Sequence, residues 1–215
     1  MKKRVFCFAL AFVLLLCVSA QADNGMSFYR HMQYGMLSSY ENMVYHYSIK
    51  VYNRFVMMPD EFLEQFWAHN EENHDETADE IYDLRIWSSQ DSRYQFEIQV
   101  KKPTYDSFET EIAKAPEYLD LVKDGYPEES NVRMLHEGKL RSTAAGEMLE
   151  TAIAYDVTDE NGHTYTIIFV YYDIYKNGVE YCFSLYAYDG DYEAAQLMLD
   201  EMCQTVEFTV VGMLA

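Results

Sequence analysis

The side chains able to do chemistry in this 215-residue sequence fall into three groups: two cysteines, two His-bearing clusters and an unusual number of tyrosines. Cys182 and Cys203 have twenty residues between them. A nucleophilic thiol needs a base beside it, and no histidine stands near either cysteine in sequence. The pair therefore reads as a disulfide, Cys182–Cys203, or as two separate buried thiols. Cys182 falls on a strand face opposite Phe183 and Leu185, and Cys203 falls on the last helix, one residue past Met202. If that helix packs on the face carrying Cys182 the sulfurs meet, and the bridge is worth about 3 kcal/mol in the loop-entropy account.

His69 and His74, with Glu71, Glu72, Asp75 and Glu76, offer nitrogen and oxygen ligands to a divalent ion. The five-residue spacing fits neither one helical face nor a zinc pattern, so the run reads as a solvated acidic loop. Met26, His31, Met32 and Met36 offer thioether and imidazole ligands to copper. Methionine is also the common filler of core gaps, which is the plainer reading. Asp156, Asp159 and Asn161 resemble a calcium loop only loosely, because Val157 occupies the first ligand place. No metal site and no cofactor is expected.

Twenty tyrosines are the odd feature of the composition. Many serve as strand and core residues. Six crowd one hairpin, and Tyr171, Tyr172, Tyr175, Tyr186 and Tyr188 are the candidate ligand-binding residues. Exposed tyrosine makes good contacts because an apolar ring ends in a polar tip.

The elements that must carry these residues follow from hydrophobic period. Met32, Met36, Leu37, Met43 and Val44 stand at roughly helical spacing, interrupted at Gly35 or beginning after it. Tyr45–Met57 reads as a strand, and Pro59-Asp60-Glu61 as the first turn of a helix that buries Phe62, Phe66 and Trp67. Tyr82–Ile86 and Tyr94–Val100 alternate apolar and polar residues as a hairpin with one wet face. Phe108, Ile112, Ala115, Leu119 and Val122 form a helical stripe. Pro116 within it lacks the amide that bonds back toward Ile112, which predicts a kink or two shorter helices at a cost of about 3 kcal/mol. Val132–Arg141 is polar enough for an edge strand.

Leu149–Val157 is a strand, and Asp159-Glu160-Asn161-Gly162 is a turn. Tyr165–Tyr175 is apolar on both faces and so needs cover on both sides. Asn177-Gly178 turns the chain back into Val179–Tyr188. Asp191 caps a helix with the stripe Tyr192, Ala195, Leu199, Met202 and Val206, and Glu207–Val211 closes as a strand. The fold class is α+β: a mostly antiparallel sheet flanked by helices on both faces.

The ends and the charge bound the function. Lys2, Lys3 and Arg4 precede an apolar run, Val5–Val18, that is short for a bilayer span, and Ala20-Gln21-Ala22 follows as a small-x-small cleavage site. Residues 1–22 are expected to be a signal peptide and residues 23–215 a single secreted domain, with no membrane span after processing. Cys7 and Cys17 leave with the peptide. Its removal takes three positive charges and no negative ones, moving the formal charge from −20 to −23. Such a surface disfavours nucleic acid and anionic lipid.

The long hairpin at Asn177-Gly178, the segment Tyr181-Cys182-Phe183-Ser184-Leu185, the turn Asp189-Gly190-Asp191 and the final helix running into Val206-Glu207-Phe208 together resemble the PsbP-like α/β/α sandwich. The resemblance covers about Tyr45 to Val211. It implies a scaffold or binding role and carries no catalytic residue across. The expected function is a secreted non-enzymatic binding or accessory domain for a protein, peptide or glycan. The alternatives are an extracellular hydrolase with carboxylates the sequence does not single out, or a metal-binding protein. A deep pocket with converging carboxylates supports the enzyme, and a flat aromatic patch supports binding.

Overall fold

The computed structural model describes residues 27, 29–64, 67, 80–124, 130–159, 161–176, 178–188 and 190–209. The expected signal peptide and residues 71–79 of the acidic loop lie outside them. The chain divides after Met36 into two units. In the first, residues 29–34 form helix α1. Gly35, at φ +85°, ends it by donating its N–H to the His31 carbonyl at 3.0 Å. That left-handed stop suits glycine because there is no Cβ to clash.

The second unit holds the rest. In chain order it comprises β1 (Leu37–Asn42), β2 (Tyr47–Tyr52), β3 (Phe55–Met57), helix α2 (60–64), β4 (Ile81–Ser89) and β5 (Tyr94–Lys101). Then follow α3 (Phe108–Asp124), β6 (Arg133–Thr143), β7 (Gly146–Thr158), β8 (Thr164–Lys176), β9 (Val179–Ala187), α4 (Tyr192–Cys203) and β10 (Glu207–Phe208). Seven strands form one sheet in the order β3-β4-β5-β9-β8-β7-β6, and β1-β2-β10 form a second. Neighbouring strands pair antiparallel throughout. This is the expected α+β class. Among the described residues no helix is long and apolar enough to cross a membrane.

Three expectations are corrected. The residues after Gly35 form strand β1, because Asn42 closes a turn there: its Oδ1 accepts from Val44 N and Tyr45 N at 3.1 and 3.0 Å. Tyr45–Met57 is two strands in two different sheets, separated by a turn at Asn53 and Arg54. Helix α3 runs as one element across Pro116 and is not split into two shorter helices. Of the expected closing strand, 207–208 pair with β2, and 210–211 lie outside the described residues.

Strand alternation gives the seven-stranded sheet two faces. One carries Phe96, Ile98, Val170, Tyr172, Phe183 and Leu185, all buried. Helix α4 lies here, capped by Asp191 through Ala194 N at 3.0 Å, and buries Ala195, Met198, Leu199 and Met202. Each large side chain contributes about 1.5–3 kcal/mol on burial. The three-stranded sheet covers the same face through Tyr47, whose ring meets Tyr181 and Phe183 edge-on at 5.7 and 6.3 Å. On the opposite face α2 packs Leu63 on Leu84 and Ile86. Helix α3 covers the other end. It approaches β6 so closely that a Cβ on Gly138 would stand 2.9 Å from Ile112 Cγ1.

Candidate functional site

A cavity of about 340 Å³ lies on the α3 face of the large sheet. It exists because alternate residues of four neighbouring strands point there: Gln99 and Lys101 from β5, Glu180, Cys182 and Tyr186 from β9, Phe169, Tyr171 and Asp173 from β8, Thr151, Ile153 and Tyr155 from β7. Helix α3 closes one side with Glu111, Ile112 and Ala115. The wall is aromatic. Phe169 stacks on Tyr186 at 4.5 Å and 28°, and meets Tyr171 at 5.1 Å.

One end of the cavity is charged. Register sets Lys101 opposite Glu180, and the two form an ion pair at 2.8 Å. Glu180 Oε2 also accepts from Thr104 N at 2.8 Å. Glu111, in the first turn of α3, accepts from the Tyr175 hydroxyl at 2.8 Å. Asp173 sits among them, opposite Cys182 in register, only 1% exposed. Its Oδ1 has no hydrogen-bond partner among the described residues.

Burial dominates the ionisation of this group. Loss of water pushes the Asp173 carboxyl well above the usual range; Lys101 opposes the shift, while Glu180 and Glu111 reinforce it. Burial raises Glu111 as well, against the hydrogen bonds from Tyr175 and Asp173. Burial tends to discharge Lys101, but its acidic neighbours, Asp173 foremost, outweigh that and keep it protonated. The Cys182 thiol is raised, first by burial and then by the charge of Asp173, so it is a poor nucleophile.

The structure distributes the candidate tyrosines between the two faces and does not gather them into an exposed patch. Tyr171 and Tyr186 line the cavity. Tyr175 touches it through Glu111. Tyr188, half-buried, lies parallel to Tyr186 at 6.5 Å and donates to Gln95 Oε1 at 3.3 Å. Tyr172 is on the opposite face, fully buried, donating to Asp200 Oδ1 of α4 at 2.6 Å. Strand period two enforces the split, since Tyr171 and Tyr172 are adjacent.

The disulfide is likewise corrected: Cys182 and Cys203 are both free and buried. Cys182 faces α3, whereas Cys203 sits on α4 across the sheet. Met26, His69, His74 and their acidic neighbours lie outside the described residues, Met32 and Met36 are exposed, and no metal-holding cluster occurs among the described residues.

Sequence reasoning missed Lys101, Glu111, Asp173 and Glu180. A signal was present. Asp173 lies inside a strand apolar on both faces, where a carboxylate has no route to water and must find partners.

Solved structures decide the fold. Cyanobacterial PsbP (CyanoP) from Synechocystis sp. PCC 6803 superposes with a TM-score of 0.50 over 80% of this chain and 92% of its own, at 10% identity. The fold is PsbP-like. The PsbP-like sheet here also overlays a point mutant of the protein Mog1 (TM-score 0.47, 11% identity, 80% of this chain and 96% of that one). A Bacteroides thetaiotaomicron VPI-5482 protein follows (TM-score 0.44, 10% identity, 81% and 49%). No family model and no curated protein matches the chain. At such identities the likeness carries the PsbP-like architecture alone.

Proposed function

We propose that this chain is an exported, non-enzymatic binding protein whose ligand is a small molecule held in the cavity on the α3 face. The basic, apolar and small-residue succession of residues 2–22 supports export. One observation carries the binding reading: an aromatic-walled cavity of about 340 Å³ surrounds a buried carboxylate oxygen that has no partner among the described residues. Ligand sites combine an apolar wall with a few convergent polar groups in this way. The ligand is therefore smaller than the protein or glycan surface that the tyrosine hairpin suggested.

A thermal-shift screen of small molecules on the full chain tests the reading, with Ala115→Phe as the cavity-filling control. Ligands that stabilise the wild type and fail on Ala115→Phe support it. Ligands that bind both equally place the site elsewhere and end the proposal.

A hydrolase is the second reading, favoured by the convergence of Glu111, Asp173 and Glu180. Two of the three are already committed, Glu180 to Lys101 and Thr104 and Glu111 to Tyr175. A catalytic pair needs two carboxyl groups free to face one bond. Mass spectrometry of a bound ligand after long incubation separates the readings: an unchanged mass supports binding, and a gain of water supports hydrolysis.

A further inference from the structure

From the charge and geometry of this cavity we infer that its ligand is an organic cation: an ammonium group on a compact apolar or aromatic body, with the ammonium donating to Asp173 Oδ1. The inference rests on the binding reading and adds the class of ligand. Four observations carry it.

First, the cavity is lined by three carboxyl groups and, among the described residues, one cation, Lys101. Lys101 is paired with Glu180 at 2.8 Å and is the one cation among the described lining residues for all three carboxyl groups. An anionic ligand would add charge to a site already acidic; a cationic one completes it.

Second, the acceptor is specific. Asp173 is 1% exposed, lines the cavity, and has an oxygen with no hydrogen-bond partner among the described residues. An acceptor sealed from water and left unbonded is costly, and a charged N–H donor is its strongest complement. In the structure the Tyr175 hydroxyl is given to Glu111 and the Lys101 ammonium bonds Glu180, and neither reaches Asp173 Oδ1.

Third, the walls suit the rest of such a molecule. Phe169, Tyr171 and Tyr186 offer ring faces, and Ile153 adds apolar surface. Aromatic faces attract cations as well as apolar groups, more so where water is excluded. Fourth, a volume of about 340 Å³ fits a molecule of small-metabolite size and excludes a folded partner.

Three probes of one shape and different charge test this by titration calorimetry on the full chain: 2-phenylethylamine, 2-phenylethanol and phenylacetate. The amine is expected to bind about tenfold or more tightly than the alcohol, with the acid weakest. Asp173→Asn, checked for folding by circular dichroism, should remove that preference and leave the alcohol's affinity within a few fold. If the alcohol or the acid binds wild type as tightly as the amine, the cavity binds ligands but the cation assignment is overturned. If none of the three binds wild type, the binding reading falls with it. Because the comparison is made on wild type, it stands even if Asp173→Asn does not fold.

Discussion

Cys182 and Cys203 are buried on opposite sides of the seven-stranded sheet, Cys182 on the α3 face and Cys203 on α4. Cys182 shares its face with Asp173 and Tyr171, and Cys203 shares the other with Tyr172 and α4. The chain without residues 1–22 should therefore yield two labelled thiols when denatured without reductant, and close to none when native, since burial raises both above their ordinary range. A single unlabelled pair in the denatured protein would sink this arrangement.

Glu150 has no exposed surface, yet its pKa is lowered. Burial works to raise it, and the contact with Arg141 together with hydrogen bonds from Tyr192 (2.8 Å) and Gln196 (2.8 Å) overcomes that. Arg141→Met leaves the carboxylate buried without its counter-charge and should cost about 2–4 kcal/mol in urea unfolding at pH 7. Because a folded-state pKa below the unfolded value gives stability above that value and loses it as pH falls, the deficit should shrink in acid.

Asp173 has the reverse sign. Its folded pKa is raised, so its contribution is fully present below the ordinary carboxylate range and is lost as pH rises through the raised value. Asp173→Asn removes a buried charge and keeps the shape. It should melt higher than wild type at pH 8 by an amount worth about 1–3 kcal/mol, with the gap closing at pH 4. A constant gap across that range would contradict the assignment.

Gly138 sits at φ +49° with the would-be Cβ 2.9 Å from Ile112 Cγ1. Gly138→Ala should destabilise by about 1–3 kcal/mol, combining backbone strain with displacement of α3. Adding Ile112→Ala should relieve the clash and leave the strain. Full recovery in the double variant would show that the left-handed backbone carries no cost at this position.

Much of the sheet was legible because period two is written into β4 and β5, β8 is a continuous apolar run, and turn residues stand between the later strands. Gly162 at φ +81° and Gly178 at φ +80° turn the chain where the sequence placed turns. The polar segment at Val132–Arg141 became edge strand β6, as its composition suggested. The segments that misled are those where tertiary pairing overrides local pattern. The segment around β1 reads as helical by the spacing of Met32, Met36, Leu37, Met43 and Val44, and β2 and β3 read as one strand, yet β1 pairs with β2 while β3 pairs with β4.

The sequence by itself determined the fold class, the hairpin order and the need for helical cover on both faces, because alternation and helical stripes are local properties. It also placed Asp173 where a carboxylate must be buried. Only the tertiary structure decided which helix covers which face. Strand order and helix packing depend on contacts far apart in sequence, and they alone put α3 over Cys182 and α4 over Tyr172. That choice separated the cysteines, divided the tyrosines, and brought Lys101, Glu111, Asp173 and Glu180 from three strands and a helix to one end of a cavity.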